Sequence, residues 1–169
     1  YARTCCGQLN NTSVLFDPKK GVAGGWMMPP YPEAGRPHLP AQTLPECLQA
    51  AGYHTAAIGK WHIHSWPHDV GCDECVIPRT QHCHVGQHYT ENGGPEFVPA
   101  GFTVDFELEQ VGSFLGRMDS EPFFLFYNIS PPHTPLFDIP DDFKTMYDPS
   151  DMPIRPNCYV DGRLAGNEG

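Results

Sequence analysis

The sequence has no apolar run near the roughly 20 residues a helix needs to cross a bilayer. The longest run, Phe123-Phe124-Leu125-Phe126-Tyr127, has only the length of a buried strand. A helical membrane span is excluded. Positive charge is scarce as well: Lys and Arg total 10 against 20 Asp and Glu, a net charge of −10 at pH 7. That balance excludes a nucleic-acid backbone as the partner. No internal repeat and no triplet glycine period is present, so collagen-like sequence is excluded too. Tyr1 is not preceded by a Met and does not open a charged-then-apolar leader. The chain is therefore expected to be a piece of a longer protein, with any targeting signal outside it.

What the 169 residues do hold is enough apolar surface, 40%, for the core of one domain or a large part of one. Gly 17 and Pro 19 together predict long irregular loops between the elements. Seven cysteines cannot close into one disulfide framework, and a chain of this length does not need one. Asn10-Asn11-Thr12-Ser13 holds two overlapping glycosylation sequons, and Asn128-Ile129-Ser130 a third. Asn128 falls in an apparent strand, where a glycan would not fit.

Residues 1–42 read as irregular, with recurrent Gly and Pro. Thr43 then predicts a helix cap, with Glu46 completing a capping box, Pro45 in the first turn and Gly52 as the stop. Tyr53 to Ile58 reads as a strand ending at Gly59. Residues 63–101 read as loop. Val104, Leu108, Val111 and Leu115 recur at helical spacing and predict a second helix to Arg117, with Glu107 and Glu109 off that face. Phe123 to Ile129 is the strongest strand, and a short helix is expected near Asp141 to Tyr147. Helix–strand followed by helix–strand predicts an α/β fold with a mostly parallel sheet flanked by helices.

In such sheets, ligands gather beyond the carboxyl ends of the strands. The first strand runs into Gly59-Lys60-Trp61-His62, the second into Ser130-Pro131-Pro132-His133-Thr134-Pro135. If 60–62 is extended, Lys60 and His62 share a side and Trp61 takes the other. A fixed cation beside an imidazole suits an anionic substrate, with His62 as proton acceptor near neutral pH and His133 as a third, rigidly placed group. The same spacing also suits a solvated lysine and a packed turn histidine. A second constellation comprises His62, His64, His68, Cys72, Cys75, His82, Cys83, His84 and His88. Cys72-Asp73-Glu74-Cys75 has the spacing of half a zinc site, which His84 or His88 would complete; the second half offers several ligands at no settled spacing, which favours a His-rich loop with ordinary buried cysteines.

The segments Thr43-Leu44-Pro45-Glu46, Ala51 to His62, Pro122 to Leu125 and Pro132-His133-Thr134-Pro135-Leu136 together resemble the sulfatases of the alkaline-phosphatase-like superfamily, in order, over about residues 43–157. Cys72 sits where that family often has a core aromatic. The family's nucleophile is a cysteine in a C-x-P-S-R run, oxidised to formylglycine. Cys5-Cys6-Gly7-Gln8 does not match it, and Tyr1-Ala2-Arg3 resembles the segment just after it. The resemblance implies a catalytic-domain fragment spanning 1–169: an irregular segment to residue 42, a motif-bearing core over 43–157 and a tail over 158–169. Formylglycine and the ligands of a calcium ion would lie outside it, and no metal ligand inside.

By the same resemblance, Lys60 would bind the sulfate and the nucleophile's oxygen. His62 would take the proton of the formylglycine hydrate, and His133 would bind sulfate and assist departure of the alcohol. The implied activity is sulfuric ester hydrolysis on a sulfated small molecule or glycan, in a periplasmic, secreted or lysosomal protein. The fragment alone is expected to be inactive and to expose an apolar edge along Phe123 to Ile129. A phosphonate or phosphate monoester hydrolase of the same superfamily, and a non-catalytic zinc module on the Cys/His loop, are the alternatives.

Overall fold

A computed structural model describes residues 31–32, 35, 41–63, 65–79, 83–151, 159–160 and 163–164. The irregular segment expected before residue 31, the sequons at Asn10 and Asn11, His64, His82 and the tail beyond 164 lie outside the described residues. The chain divides into two compact units, residues 1–138 and 139–169.

In the first unit, α1 (Leu44–Ala50) starts as its sequence dictates. The Thr43 hydroxyl accepts the Glu46 amide at 3.3 Å, and the Glu46 carboxylate accepts the Thr43 amide at 2.6 Å. The same hydroxyl donates to the Val70 carbonyl at 2.6 Å, tying the helix start to the loop after β1. β1 (His54–Gly59) follows, buried on both faces as a central parallel strand must be. It pairs in parallel with β2 (Glu74–Pro78) on one side and with β4 (Phe123–Asn128) on the other. β3 (Tyr89–Glu91) runs antiparallel to β2, giving the order β3-β2-β1-β4. The sheet is mixed and mostly parallel, and the fold is α/β.

The side chains of β1 alternate between two apolar clusters. Ala57 joins Trp61, Val70, Cys72, Cys75 and Ile77 on one face; Ala56 and Ile58 meet Phe114 and Met118 on the other. Phe114 comes from α2 (Thr103–Arg117), and its near-complete burial contributes roughly 2–3 kcal/mol. β4 ends the sheet. Phe123 and Phe126 on it are 42% and 41% exposed, the apolar edge expected of this segment.

Two sequence expectations are corrected. Residues 63–101 are not loop throughout: a 3-10 turn (Pro67–Val70) and the strands β2 and β3 lie within them. In α2, Leu108 and Leu115 are 52% and 44% exposed, whereas Glu107 is fully buried. The inward face is Thr103, Glu107, Phe114 and the capping Met118. Glu107 is tolerated there because the Tyr89 hydroxyl donates to Oε1 at 2.8 Å and the Tyr127 hydroxyl to Oε2 at 3.4 Å.

Burial raises the Glu107 pKa, against the opposing effect of the two tyrosine hydrogen bonds. The folded chain thus holds this proton more tightly than the unfolded chain. Its contribution to stability is complete below the ordinary carboxylate range and is lost as pH rises through the folded pKa. Urea midpoints should therefore fall less steeply with rising pH in Glu107→Gln than in the wild type. Parallel curves would mean that Glu107 titrates alike in the folded and the unfolded chain.

In the second unit, α3 (Asp141–Lys144) stands where a short helix was expected. A 3-10 turn (Pro149–Asp151) and the antiparallel pair β5 (Tyr159–Val160) and β6 (Arg163–Leu164) follow.

Candidate active site

The carboxyl ends of β1 and β4 are locked together by one residue. Asn128, last in β4, accepts the Lys60 amide on its carbonyl at 2.7 Å, and its side-chain amide donates to the Lys60 carbonyl at 2.9 Å. Both backbone groups of Lys60 are thus held where β1 leaves the sheet. The Asn128 side-chain nitrogen is engaged in this clamp, in keeping with the misfit of a glycan there.

Beyond the clamp the chain turns Trp61 into the core. Its ring is 8% exposed, its indole N–H donates to the Ser65 carbonyl at 2.8 Å, and it meets Phe126 edge-on at 6.0 Å. Lys60 and His62 line a cleft together with Arg79, Gln87, Tyr89 and Ser130. Burial lowers the Lys60 pKa, since a charge is costly to hold in this wall. The His62 pKa is lowered by burial first, then by the charges of Lys60 and His133. His62 therefore favours its neutral form, and His133 lies close enough to act on it.

His133 sits in the turn after β4. Its amide donates to the Ser130 carbonyl at 3.1 Å, and its Nδ1 lies 2.6 Å from the Thr134 carbonyl, which it reaches as a donor. Nε2 is then the nitrogen through which His133 would act. The three residues singled out from the sequence thus meet at one end of the sheet, two on the cleft wall and the third within electrostatic reach.

Among the described residues, the side chains of the Cys/His constellation do not come together as a zinc site. Cys72 and Cys75 are packed in the apolar cluster, and burial above all pushes their thiols up to about 12 and about 11. A metal ligand must be a thiolate, and burial there disfavours it. His84 is hydrogen-bonded to the His133 carbonyl, His88 to Glu96, and His68 stacks on Trp66. Among the described residues no three His, Cys, Asp or Glu side chains gather to hold a metal ion.

A model of the sulfatase family matches residues 22–161. This chain belongs to the sulfatase family. An N-acetylglucosamine-6-O-sulfatase of Bacteroides thetaiotaomicron is 38% identical over 96 residues, covering 54% of this sulfatase chain and 17% of that protein. An ulvan-active sulfatase of Formosa agariphila is 29% identical over 133 residues, covering 71% and 26%. Among solved structures, a protein in complex with its substrate D-glucosamine-2-N,6-O-disulfate superposes with a TM-score of 0.50 at 36% identity, covering 56% of this chain and 19% of that one. Ps i-CgsB in complex with k-i-k-neocarrahexaose superposes with a TM-score of 0.58 at 22% identity, covering 67% and 31%, and shows the shared fold. The sulfatase chain spans about a sixth to a quarter of the curated relatives' length.

Reasoning from the sequence missed several residues that line the cleft or hold its walls. Asn128 lies one residue before the end of the strand expected over Phe123 to Ile129, near where sites form in these folds, and was read only as a sequon. Arg79 follows β2, a strand the sequence pattern did not show. His84 was weighed only as a metal ligand, and Tyr89 joins the cleft through pairing of β3 with β2.

Proposed function

We propose that this chain forms the substrate-holding part of a sulfatase that hydrolyses sulfate esters of sugars. The observation that carries the reading is the meeting of Lys60 and His62 in one cleft, with the charge of His133 acting on His62. The glycan class is supported by the names of the relatives, both of which cleave or act on sulfated carbohydrate.

In this reading Lys60 contributes a fixed positive charge against the sulfate oxygens, holding the anion in the cleft while the bond from sulfur to the departing oxygen breaks. His62, kept neutral by its surroundings, accepts a proton. His133 contacts the sulfate and hands a proton from Nε2 to the departing alkoxide, so that the bond breaks to a neutral alcohol. The family's formylglycine would supply the attacking oxygen and calcium would hold it. The 169 residues contain no C-x-P-S-R run, and the described residues gather no ion site. The chemistry assigned to this chain is therefore that of its own three side chains. An extracytoplasmic location is part of the same proposal.

The test is sulfate release from a 6-O-sulfated glucosamine or a sulfated galactan oligosaccharide, by a protein of the relatives' length carrying this chain. Release of inorganic sulfate supports the reading; preference for a phosphate monoester overturns it. A second measurement needs no turnover. By NMR, His62 should titrate below the ordinary histidine value in the wild type and move upward in Lys60→Ala, which removes one of the charges opposing its protonation. An unmoved titration would separate the two residues.

A further inference from the structure

We propose that His84 is a positioning residue for His133, an assignment that rests on the proton-donating role given to His133 above. His84 is fully buried, and its Nε2 lies 2.8 Å from the His133 carbonyl. A carbonyl only accepts, so Nε2 carries the hydrogen and donates it. The backbone of His84 is held on both sides. Its amide donates to Asp138 Oδ2 at 2.8 Å, and its carbonyl accepts the Thr103 amide at the start of α2 at 2.9 Å. The ring is therefore a fixed strut between the helix start and the turn carrying His133.

The other ring nitrogen argues that this is more than packing. Nδ1 is buried and has no hydrogen-bond partner among the described residues. A buried polar atom left unsatisfied is costly, and an apolar side chain of similar volume would avoid the cost. What an apolar side chain could not do is grip the His133 carbonyl. With that carbonyl held from behind and Nδ1 of His133 donating to the Thr134 carbonyl, both the peptide and the ring of His133 are fixed. Nε2 of His133 then meets the departing oxygen without a search over rotamers, and small misplacements of such a group are expensive in rate.

The experiment compares two leaving groups in a protein of the relatives' length carrying this chain. A sugar sulfate releases an alkoxide that needs a proton, whereas 4-nitrophenyl sulfate releases a phenolate that does not. His84→Leu should lower kcat on the sugar sulfate about tenfold to a hundredfold, with a much smaller loss on the aryl sulfate. His84→Gln, whose amide can donate to the same carbonyl, should recover most of that loss. The ratio of the two kcat values does not depend on the fraction of molecules folded. Should the leucine variant not fold at all, His84→Asn, too short to reach the carbonyl, carries the same expectation. Equal loss on both substrates, or no rescue by glutamine, while His133→Ala still shows the split, would overturn the positioning role alone. Absence of the split in His133→Ala would overturn the reading of His133, and this one with it.

Discussion

Lys60→Ala is expected to lower kcat/KM for a sulfate ester by about 10²–10³-fold in a protein of the relatives' length carrying this chain. The ammonium sits on the wall of the cleft, and burial already disfavours its charge. An anion in the cleft relieves that penalty, and the ammonium holds the sulfate aligned while its bond to the departing oxygen breaks. The loss should therefore fall on kcat as well as on KM. Lys60→Arg should recover little, because a planar fork on a longer reach does not put a compact point charge at the same place in the cleft. Steady-state kinetics on both variants checks this, and unchanged turnover would remove Lys60 from the site.

The second large effect is on stability. Gly59→Ala is expected to destabilise the fold by about 3 kcal/mol, read as a lowered urea midpoint with an unchanged slope. Gly59 has φ +86°, which disfavours any side chain, and an added Cβ would lie 2.5 Å from the Asn128 carbonyl oxygen. That oxygen is the acceptor of the Lys60 amide, so the clash falls on the clamp itself. Moving it also moves Lys60. The variant should accordingly lose activity beyond what its folded fraction explains, whereas Gly52→Ala, with a similar φ but open space around it, should cost stability alone.

The parts of the fold legible in the sequence were those whose signal is local. The capping box at Thr43 and Glu46, the apolar run before Gly59 and the five-residue aromatic run of β4 each announce themselves within a few positions. β2 did not: only Cys75, Val76 and Ile77 are apolar, between Asp73-Glu74 and Pro78-Arg79, and what makes them a strand is pairing with β1 and β3. The inward face of α2 was misjudged for a related reason. A glutamate is assigned to water by any periodicity argument, and the hydroxyls that make its burial possible come from Tyr89 and Tyr127, 18 and 20 residues away. At the site, Lys60, His62 and His133 were visible as motif residues, but His84 looked like a metal ligand because its partner is a backbone carbonyl 49 positions further on.

The pairing of β1 with β4 also bears on the order in which the molecule assembles. Every pair in that register joins residues 69 positions apart, against 18 for β1 with β2. Closing the longer loop costs about 1 kcal/mol more in chain entropy, and contacts of such separation form late. During synthesis β1, β2 and β3 can pair while β4 is still unmade. Lys60 and His62 would then wait at an open strand end, without the Asn128 clamp and without the turn bearing His133. Docking of β4 supplies the Asn128 clamp and the turn bearing His133 in a single event, so Lys60, His62 and His133 come together only once that pairing has formed.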